Sequence, residues 1–178
     1  MRAKSGILLL AAGFLFSACG FHLRGDYSLP YHTLYLALPP SSEVGVQLKQ
    51  MLASSASTKL VDSPLEADAI LIQLLDNRDR TILSIDASGR AREIRLRLRY
   101  AYRIVDAKGH ELVPASTIEM IRDMTYDDSY VLAKGQEELL LWNDLQQELG
   151  QQLLRRLSAR PQAVEAAADD EAEPQQKR

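Results

Sequence analysis

The chain has few of the residues that catalyse reactions or bind metal ions. Its 178 residues include one cysteine and three histidines, and the histidines lie far apart at His22, His32 and His110. The sequence contains no glycine-rich phosphate loop between a strand and a helix, and no pair of metal ligands at helical spacing. The neighbouring carboxylates Asp127 and Asp128 precede a predicted helix, where negative charge favourably meets the helix dipole. We therefore expect a protein that is not an enzyme and has no metal site or dissociable cofactor.

An excess of positive charge is also missing. The chain has 21 Lys and Arg residues against 24 Asp and Glu residues, a formal net charge of −3. A general nucleic-acid binder needs surplus Lys and Arg to displace counterions from phosphates, so we expect no nucleic-acid partner. Any site for a polyanion must be local.

The one cysteine, Cys19, stands at the end of a predicted export signal. Two basic residues precede the apolar run Ile7–Phe16, and Ser17 and Ala18 supply the small residues that a peptidase requires before the thiol. A secretory signal with a stray cysteine and a single-pass anchor are the alternatives, although the run is short for a hydrocarbon layer of about 30 Å. We expect Cys19 to carry a covalent diacylglycerol and an N-linked acyl chain, which would hold the protein on a membrane.

The predicted domain boundaries follow from this signal and from composition. Residues 1–18 are the signal peptide, 19–32 a lipidated tether, 33–158 the folded domain and 159–178 an acidic, disordered tail. Gly20 replaces the Asp that retains lipoproteins at the inner membrane of enteric-type bacteria, so we expect delivery to the outer membrane. Removal of residues 1–18 leaves 160 residues with a charge of −5, which suits one domain with a core.

Apolar periodicity predicts an α+β fold of the order β-α-β-β-β-α. Three consecutive long strands joined by tight turns predict an antiparallel meander, and two helices with one apolar stripe each can cover one face of its sheet. The result is a two-layer sandwich of two helices on a four-stranded, mostly antiparallel sheet. The predicted elements before the meander are a strand at Thr33–Leu38 and a helix at Glu43–Ser57 capped by Ser42. The stretch Ala67–Ile85 is predicted as one long strand with a bulge or as two strands in line. Strands at Glu93–Ile104 and Glu111–Thr125 follow, and then a helix capped by Ser129 that ends near Leu157.

The central strand has the clearest alternation in the chain. Its apolar residues take one parity, and the other parity carries Arg95, Arg97 and Arg99 at spacings near 7 Å. Such a row can bind phosphates or acidic groups of a partner. It can equally form a solvated face that pairs with Glu119 and Asp123 on the next strand, and the sequence leaves both interpretations open. Two further arginines, Arg90 and Arg92, extend the positive charge toward the preceding turn.

The segment Cys19-Gly20-Phe21-His22-Leu23-Arg24-Gly25 resembles the mature N-terminus of members of the LptE family, which are lipopolysaccharide-assembly lipoproteins. The resemblance extends through the meander to Leu132-Ala133-Lys134, followed by Glu137, and to the Leu-Arg-Arg-Leu end of the last helix. It covers roughly residues 19–157, and the acidic tail falls outside it. The family's fold of two helices on a four-stranded sheet agrees with the pattern above.

The resemblance also implies a function. Family members hold and plug the LptD β-barrel, bind lipopolysaccharide, and help to insert it into the outer leaflet of the outer membrane. A lysine of the Leu-Ala-Lys motif is implicated in that binding and corresponds to Lys134. A second basic residue at the family's hairpin tip has no equivalent here, because the tip reads Asp86-Ala87-Ser88-Gly89, so Arg90 or Arg92 is expected to substitute by proximity. A lipid-anchored module that binds peptidoglycan or a periplasmic protein by its sheet edge is the alternative.

Overall fold

The sheet has five strands in the order β2-β1-β3-β4-β5. The computed structural model describes residues 28–53, 55 and 57–159. The strand β1 pairs in parallel with β2 and β3, whereas β3, β4 and β5 form the predicted antiparallel meander. The strands are β1 (Thr33–Ala37), β2 (Lys59–Leu60), β3 (Ala69–Ile85), β4 (Ala91–Val105) and β5 (Glu111–Thr125).

Two α-helices, α1 (Glu43–Leu52) and α2 (Val131–Ser158), cover one face of this sheet. Short 3₁₀ turns lie at Pro64–Glu66 and Asp128–Tyr130. The predicted α+β sandwich is confirmed, with one correction in detail: the sheet has five strands, not four. The extra strand, β2, has two residues, which is too short to leave an alternating pattern in the sequence.

The apolar residues of β4 form the centre of the core. Its apolar parity is buried from Ile94 to Ile104, and the leucines of both helices pack in the same cluster. The predicted stripe of α2 is confirmed, because its leucines are buried and Trp142 packs against the core at partial exposure. These leucines are Leu145, Leu149, Leu153 and Leu157.

The helix starts agree with the sequence in one case only. Ser42 caps α1 as predicted, since its hydroxyl accepts a hydrogen bond from the Gly45 N–H at 3.2 Å. The predicted cap Ser129 is wrong, because Asp127 takes the capping role in the 3₁₀ turn and accepts from the Ser129 N–H at 2.8 Å. Helix α1 also ends at Leu52, earlier than the expected Ser57.

The predicted bulge in β3 lies between Gln73 and Leu75. An extra residue reverses which side chains face the helices, because successive strand residues point to opposite faces. Beyond the bulge, Arg78 and Arg80 lie opposite the buried Leu98 and Leu96 of β4 and so take the helix-facing side. Several predicted features lie outside the described residues: the signal peptide, the lipidation site Cys19, most of the tether, and the tail from residue 160 onward.

Candidate functional site

The β3–β4 hairpin ends in a tight turn that holds Arg90. Gly89 has φ of 80°, a left-handed conformation that favours glycine, and its N–H donates to the Asp86 carbonyl at 2.9 Å. The Asp86 carboxylate accepts hydrogen bonds from the Ser88 and Arg90 backbones. The Arg90 guanidinium lies 3.0 Å from the same carboxylate. Arg90 is therefore engaged within its own turn.

Lys134 and Arg92 line one hollow of about 430 Å³ beside this turn. The two residues are 42 positions apart in the sequence, and the fold brings them together because β5 ends next to the start of β4 and α2 begins shortly after β5. The other lining residues are Ser84, Glu93, Thr125, Tyr126, Asp127 and Tyr130. We call Arg90, Arg92 and Lys134 the hairpin-end cluster.

Lys134 is held in place by two neighbours. Its ammonium donates to Glu137 Oε2 at 2.8 Å and to Thr125 Oγ1 at 3.2 Å. Its side chain is 19% exposed, whereas that of Glu137 is 45% exposed. The ammonium is thus positioned against β5 while its counterion remains open to solvent.

The charges and hydrogen bonds around the hollow change the pKa of Asp127. Hydrogen bonds from the Ser129 backbone and side chain, together with the charges of Arg92 and Arg90, lower the pKa of the Asp127 carboxyl. Arg90 and Arg92 therefore both stabilise the charged form of Asp127, the carboxylate that caps the 3₁₀ turn. The hollow carries two cations, Arg92 and Lys134, beside two carboxylates, Glu93 and Asp127, so it can bind a phosphate that replaces a carboxylate as the partner of a cation.

Exposed apolar side chains accompany the cluster. Leu132 is 88% exposed, and Tyr130, Val131 and Leu139 are more than half exposed on the same part of α2 and its preceding turn. Ile85 at the end of β3 is 64% exposed. Apolar surface beside cations suits an amphiphilic anion better than a small soluble anion.

Three further arginines of β4, Arg95, Arg97 and Arg99, lie on the opposite face of the sheet, which the two helices leave open. Arg95 forms a bidentate pair with Asp123, with both N–O distances 2.8 Å. Arg97 Nε lies 3.2 Å from Glu119 Oε1, a distance that fits an ion pair, although the alignment is unsuitable for a hydrogen bond. Cross-strand pairing, one of the two predicted interpretations, therefore occurs at these two arginines.

Arg99, the third arginine on this face, is exposed and lies opposite Glu119 in the register of β4 and β5. The hydrogen bonds from Arg95 lower the pKa of the Asp123 carboxyl, and Asp123 in turn raises the pKa of Arg95. The structure separates the predicted site residues into the hairpin-end cluster and the open-face row, Arg95, Arg97 and Arg99.

Among the residues that the structure describes, no group of His, Cys, Asp and Glu is arranged to hold a metal ion. Within this described part of the chain, no helix has the length and apolarity needed to cross a membrane.

Comparison with known proteins identifies the family. The sequence profile described as "LptE: Lipopolysaccharide-assembly" matches residues 31–157. The chain belongs to the LptE family. One relative is an LPS-assembly lipoprotein LptE of Pectobacterium atrosepticum, 27% identical over 162 residues, which cover 88% of this chain and 86% of the relative.

Solved structures agree with the LptE fold. Lipoprotein B of Nitrosomonas europaea has a TM-score of 0.68 and 35% identity, covering 79% of this chain and 91% of that one. A minor lipoprotein of Acinetobacter baumannii has a TM-score of 0.60 and 27% identity, covering 73% and 92%. The chain is thus similar over most of its length to envelope lipoproteins.

The sequence interpretation missed one cation beside this hollow. Arg80 lies 3.1 Å from Glu138 of α2, and its guanidinium stands over the Tyr126 ring with 5.7 Å to the centroid. Tyr126 also lines the hollow. The sequence feature that could have identified Arg80 is the charged segment from Asp76 to Arg80. Once the bulge is placed, alternate residues of this segment share one polar face of the strand.

Proposed function

We propose that the chain is a non-catalytic lipoprotein of the outer membrane that binds lipopolysaccharide and plugs the lumen of the LptD barrel. Membership of the LptE family supports the assembly role. The anchor would be the acylated Cys19, which places the domain at the periplasmic side of the membrane and within the barrel.

One observation carries the lipopolysaccharide part of the proposal, namely that Lys134 and Arg92 line the same hollow. Lipid A combines phosphates with acyl chains. The two cations can bind a phosphate, and the exposed apolar residues at Leu132 and Ile85 can contact acyl chains. The hairpin-end cluster therefore offers both kinds of contact at one end of the domain.

The open face of the sheet supports the barrel part. Arg95, Arg97 and their acidic partners make this face polar, and the lumen of an outer-membrane barrel is polar as well. Exposed arginine–carboxylate pairs can exchange partners with charged groups of a barrel wall at little cost. We propose that the open-face row meets the barrel, although on sequence grounds it is also a candidate for lipopolysaccharide.

Binding of fluorescent lipopolysaccharide tests the site. The double variant Lys134→Ala, Arg92→Ala should weaken binding at low salt, and the difference should shrink at high salt because salt screens exposed charges. Arg103→Ala removes an exposed arginine of the open face and serves as the control. Arg97→Glu tests the open-face row. Unchanged binding in the double variant, with a loss in Arg97→Glu, would move the site to the sheet.

Purification of the acylated protein from native membranes tests the partnership. LptD should be recovered with it in detergent. Recovery of a free monomer would contradict the proposal. Saturable binding of peptidoglycan fragments without affinity for lipopolysaccharide would favour the alternative of a peptidoglycan-binding module.

A further inference from the structure

A groove lies between the two helices and shares no lining residue with the hollow beside the hairpin-end cluster. It has a volume of about 690 Å³, within the range of small-ligand sites. It lies between α1 and the middle of α2. Six of its eleven lining residues carry side-chain amides, namely Gln47, Gln50, Asn143, Gln146, Gln147 and Gln151.

Two of these amides are fixed by the fold. Arg78 donates to Gln146 Oε1 at 3.0 Å, which leaves the Nε2 group of Gln146 as the free donor. Gln47 Nε2 donates to the Gln147 carbonyl at 3.2 Å, which leaves Gln47 Oε1 as the free acceptor. The amide of Gln47 also occupies the space that a Cβ at Gly150 would need, since its nearest atoms lie 2.5 Å from that position.

The remaining donor and acceptor have no hydrogen-bond partner among the described residues. Gln146 is 9% exposed, and its Nε2 and Gln47 Oε1 are both buried and unpaired within that part of the chain. Buried polar groups are nearly always satisfied in folded proteins, so an unpaired donor and an unpaired acceptor on two residues of the same groove call for an explanation. Both atoms have almost no accessible surface, so an occupant reaches them only when neighbouring side chains change rotamer.

The charge of the groove selects the kind of occupant. Among the described lining residues Glu43 alone is ionic, and it is paired with Arg78. A carboxylate at this position disfavours a phosphorylated saccharide. The same set of lining residues includes no aromatic ring, so the groove lacks a flat surface on which sugar rings stack. An extended, uncharged peptide offers one donor and one acceptor in each peptide unit, which matches the pair of open atoms.

We infer that the groove between α1 and α2 binds an extended, uncharged peptide segment of the barrel partner, with Gln146 Nε2 and Gln47 Oε1 hydrogen-bonded to its main chain. The inference rests on the proposed function, because it names the region where the barrel is held. It adds a second contact to the open face of the sheet.

The test uses the full acylated chain, co-expressed with LptD and purified as a complex in detergent. Gln146→Glu keeps the oxygen that accepts from Arg78 and replaces the free donor with an acceptor. We expect this variant to release the barrel at least tenfold faster than the unaltered chain. Gln147→Glu introduces the same charge at the adjacent, exposed lining residue and should change the release rate by less than twofold.

A second variant, Gly150→Ala, replaces a residue that does not itself line the groove. The added Cβ displaces the Gln47 amide, so release should again accelerate several-fold. Equal acceleration in Gln146→Glu and Gln147→Glu would indicate a general effect of charge and overturn the inference. Unchanged release in both Gln146→Glu and Gly150→Ala would overturn it too. In either case LptD recovery with the unaltered chain would leave the proposed function intact.

A photoreactive benzoylphenylalanine at Gln50 identifies the occupant. We expect cross-links to an uncharged stretch of the barrel. Cross-links to lipopolysaccharide would assign the groove to a saccharide and refute the peptide inference. Failure of the unaltered chain to recover LptD would reject the proposed function and the inference together.

Discussion

Removal of the counterion of Lys134 should strengthen lipopolysaccharide binding. Lys134 Nζ lies 2.8 Å from Glu137 Oε2, so an incoming phosphate must compete with that carboxylate for the ammonium. Glu137→Gln keeps the shape of the side chain and removes its charge. The variant should therefore bind lipopolysaccharide more tightly than the unaltered protein, although it loses an ion pair.

The size of the gain follows from the exposure of the pair. The Glu137 side chain is 45% exposed, so the pair belongs to the class of surface ion pairs. Such pairs contribute about 0.2–1 kcal/mol, which corresponds to a gain of roughly 1.5- to fivefold in affinity. Thr125 Oγ1 still holds the ammonium at 3.2 Å, so the position of the cation is retained.

Anisotropy of fluorescent lipopolysaccharide, measured at low salt and at about 1 M salt, gives the affinities. The gain should disappear at about 1 M salt, where the Debye length falls to about 3 Å. Asp144→Asn removes one negative charge from an exposed position of the same helix and is the matched control. An equal gain in both variants, or no gain in Glu137→Gln, would refute the assignment of Lys134 to phosphate binding.

The remaining predictions concern stability, measured by urea unfolding with circular dichroism. Leu149→Ala removes a fully buried side chain and should cost about 2–5 kcal/mol, whereas Leu140→Ala, at an exposed position, should stay within about 0.5 kcal/mol; similar losses in both would contradict the assigned helix face. Gly89→Ala should cost about 1–2 kcal/mol because φ is 80° there, and a neutral result would exclude that conformation. Stability should fall as the pH drops below the usual aspartate pKa of 3.8, since carboxyls with lowered pKa values stabilise the fold only while ionised. A free energy of unfolding that stays constant through the acid range would refute these shifts. These carboxyls are Asp68, Asp86, Asp106, Asp123 and Asp127, which accept hydrogen bonds mainly from backbone N–H groups or, for Asp123, from Arg95.

Strong local patterns predicted much of the fold. The alternation along β4 predicted which residues are buried, because one register satisfies the whole apolar set. The hydroxyl of Ser42 likewise predicted a helix start, since capping depends on residues within one turn. The start of α2 did not follow, because Asp127 caps the 3₁₀ turn before the helix, and the N-cap residue of α2 itself is Tyr130, which makes no side-chain capping hydrogen bond.

The candidate site depends on contacts between residues far apart in the sequence, which local patterns do not predict. Lys134 was singled out through a family resemblance, and no spacing rule places it beside Arg92 across 42 residues. The open pair of amides at Gln47 and Gln146 was not predicted, because glutamine on a helix surface is ordinary. Only the contacts with Arg78 and with the Gln147 carbonyl show which of their atoms remain open.

The bulge beside Leu74 makes β3 sensitive to changes in its length. Deletion of Leu74 would restore regular pairing and leave the following residues opposite their present partners, with Arg78 and Arg80 still on the helix side. An equal deletion closer to the hairpin turn would instead turn over the residues between the bulge and the deleted position, because regular pairing would then shift each of them by one residue. A three-nucleotide deletion at the Leu74 codon should therefore be tolerated better than one further along the same strand. Family alignments that place a gap a few residues from the bulge would equate inward-facing positions with outward-facing ones.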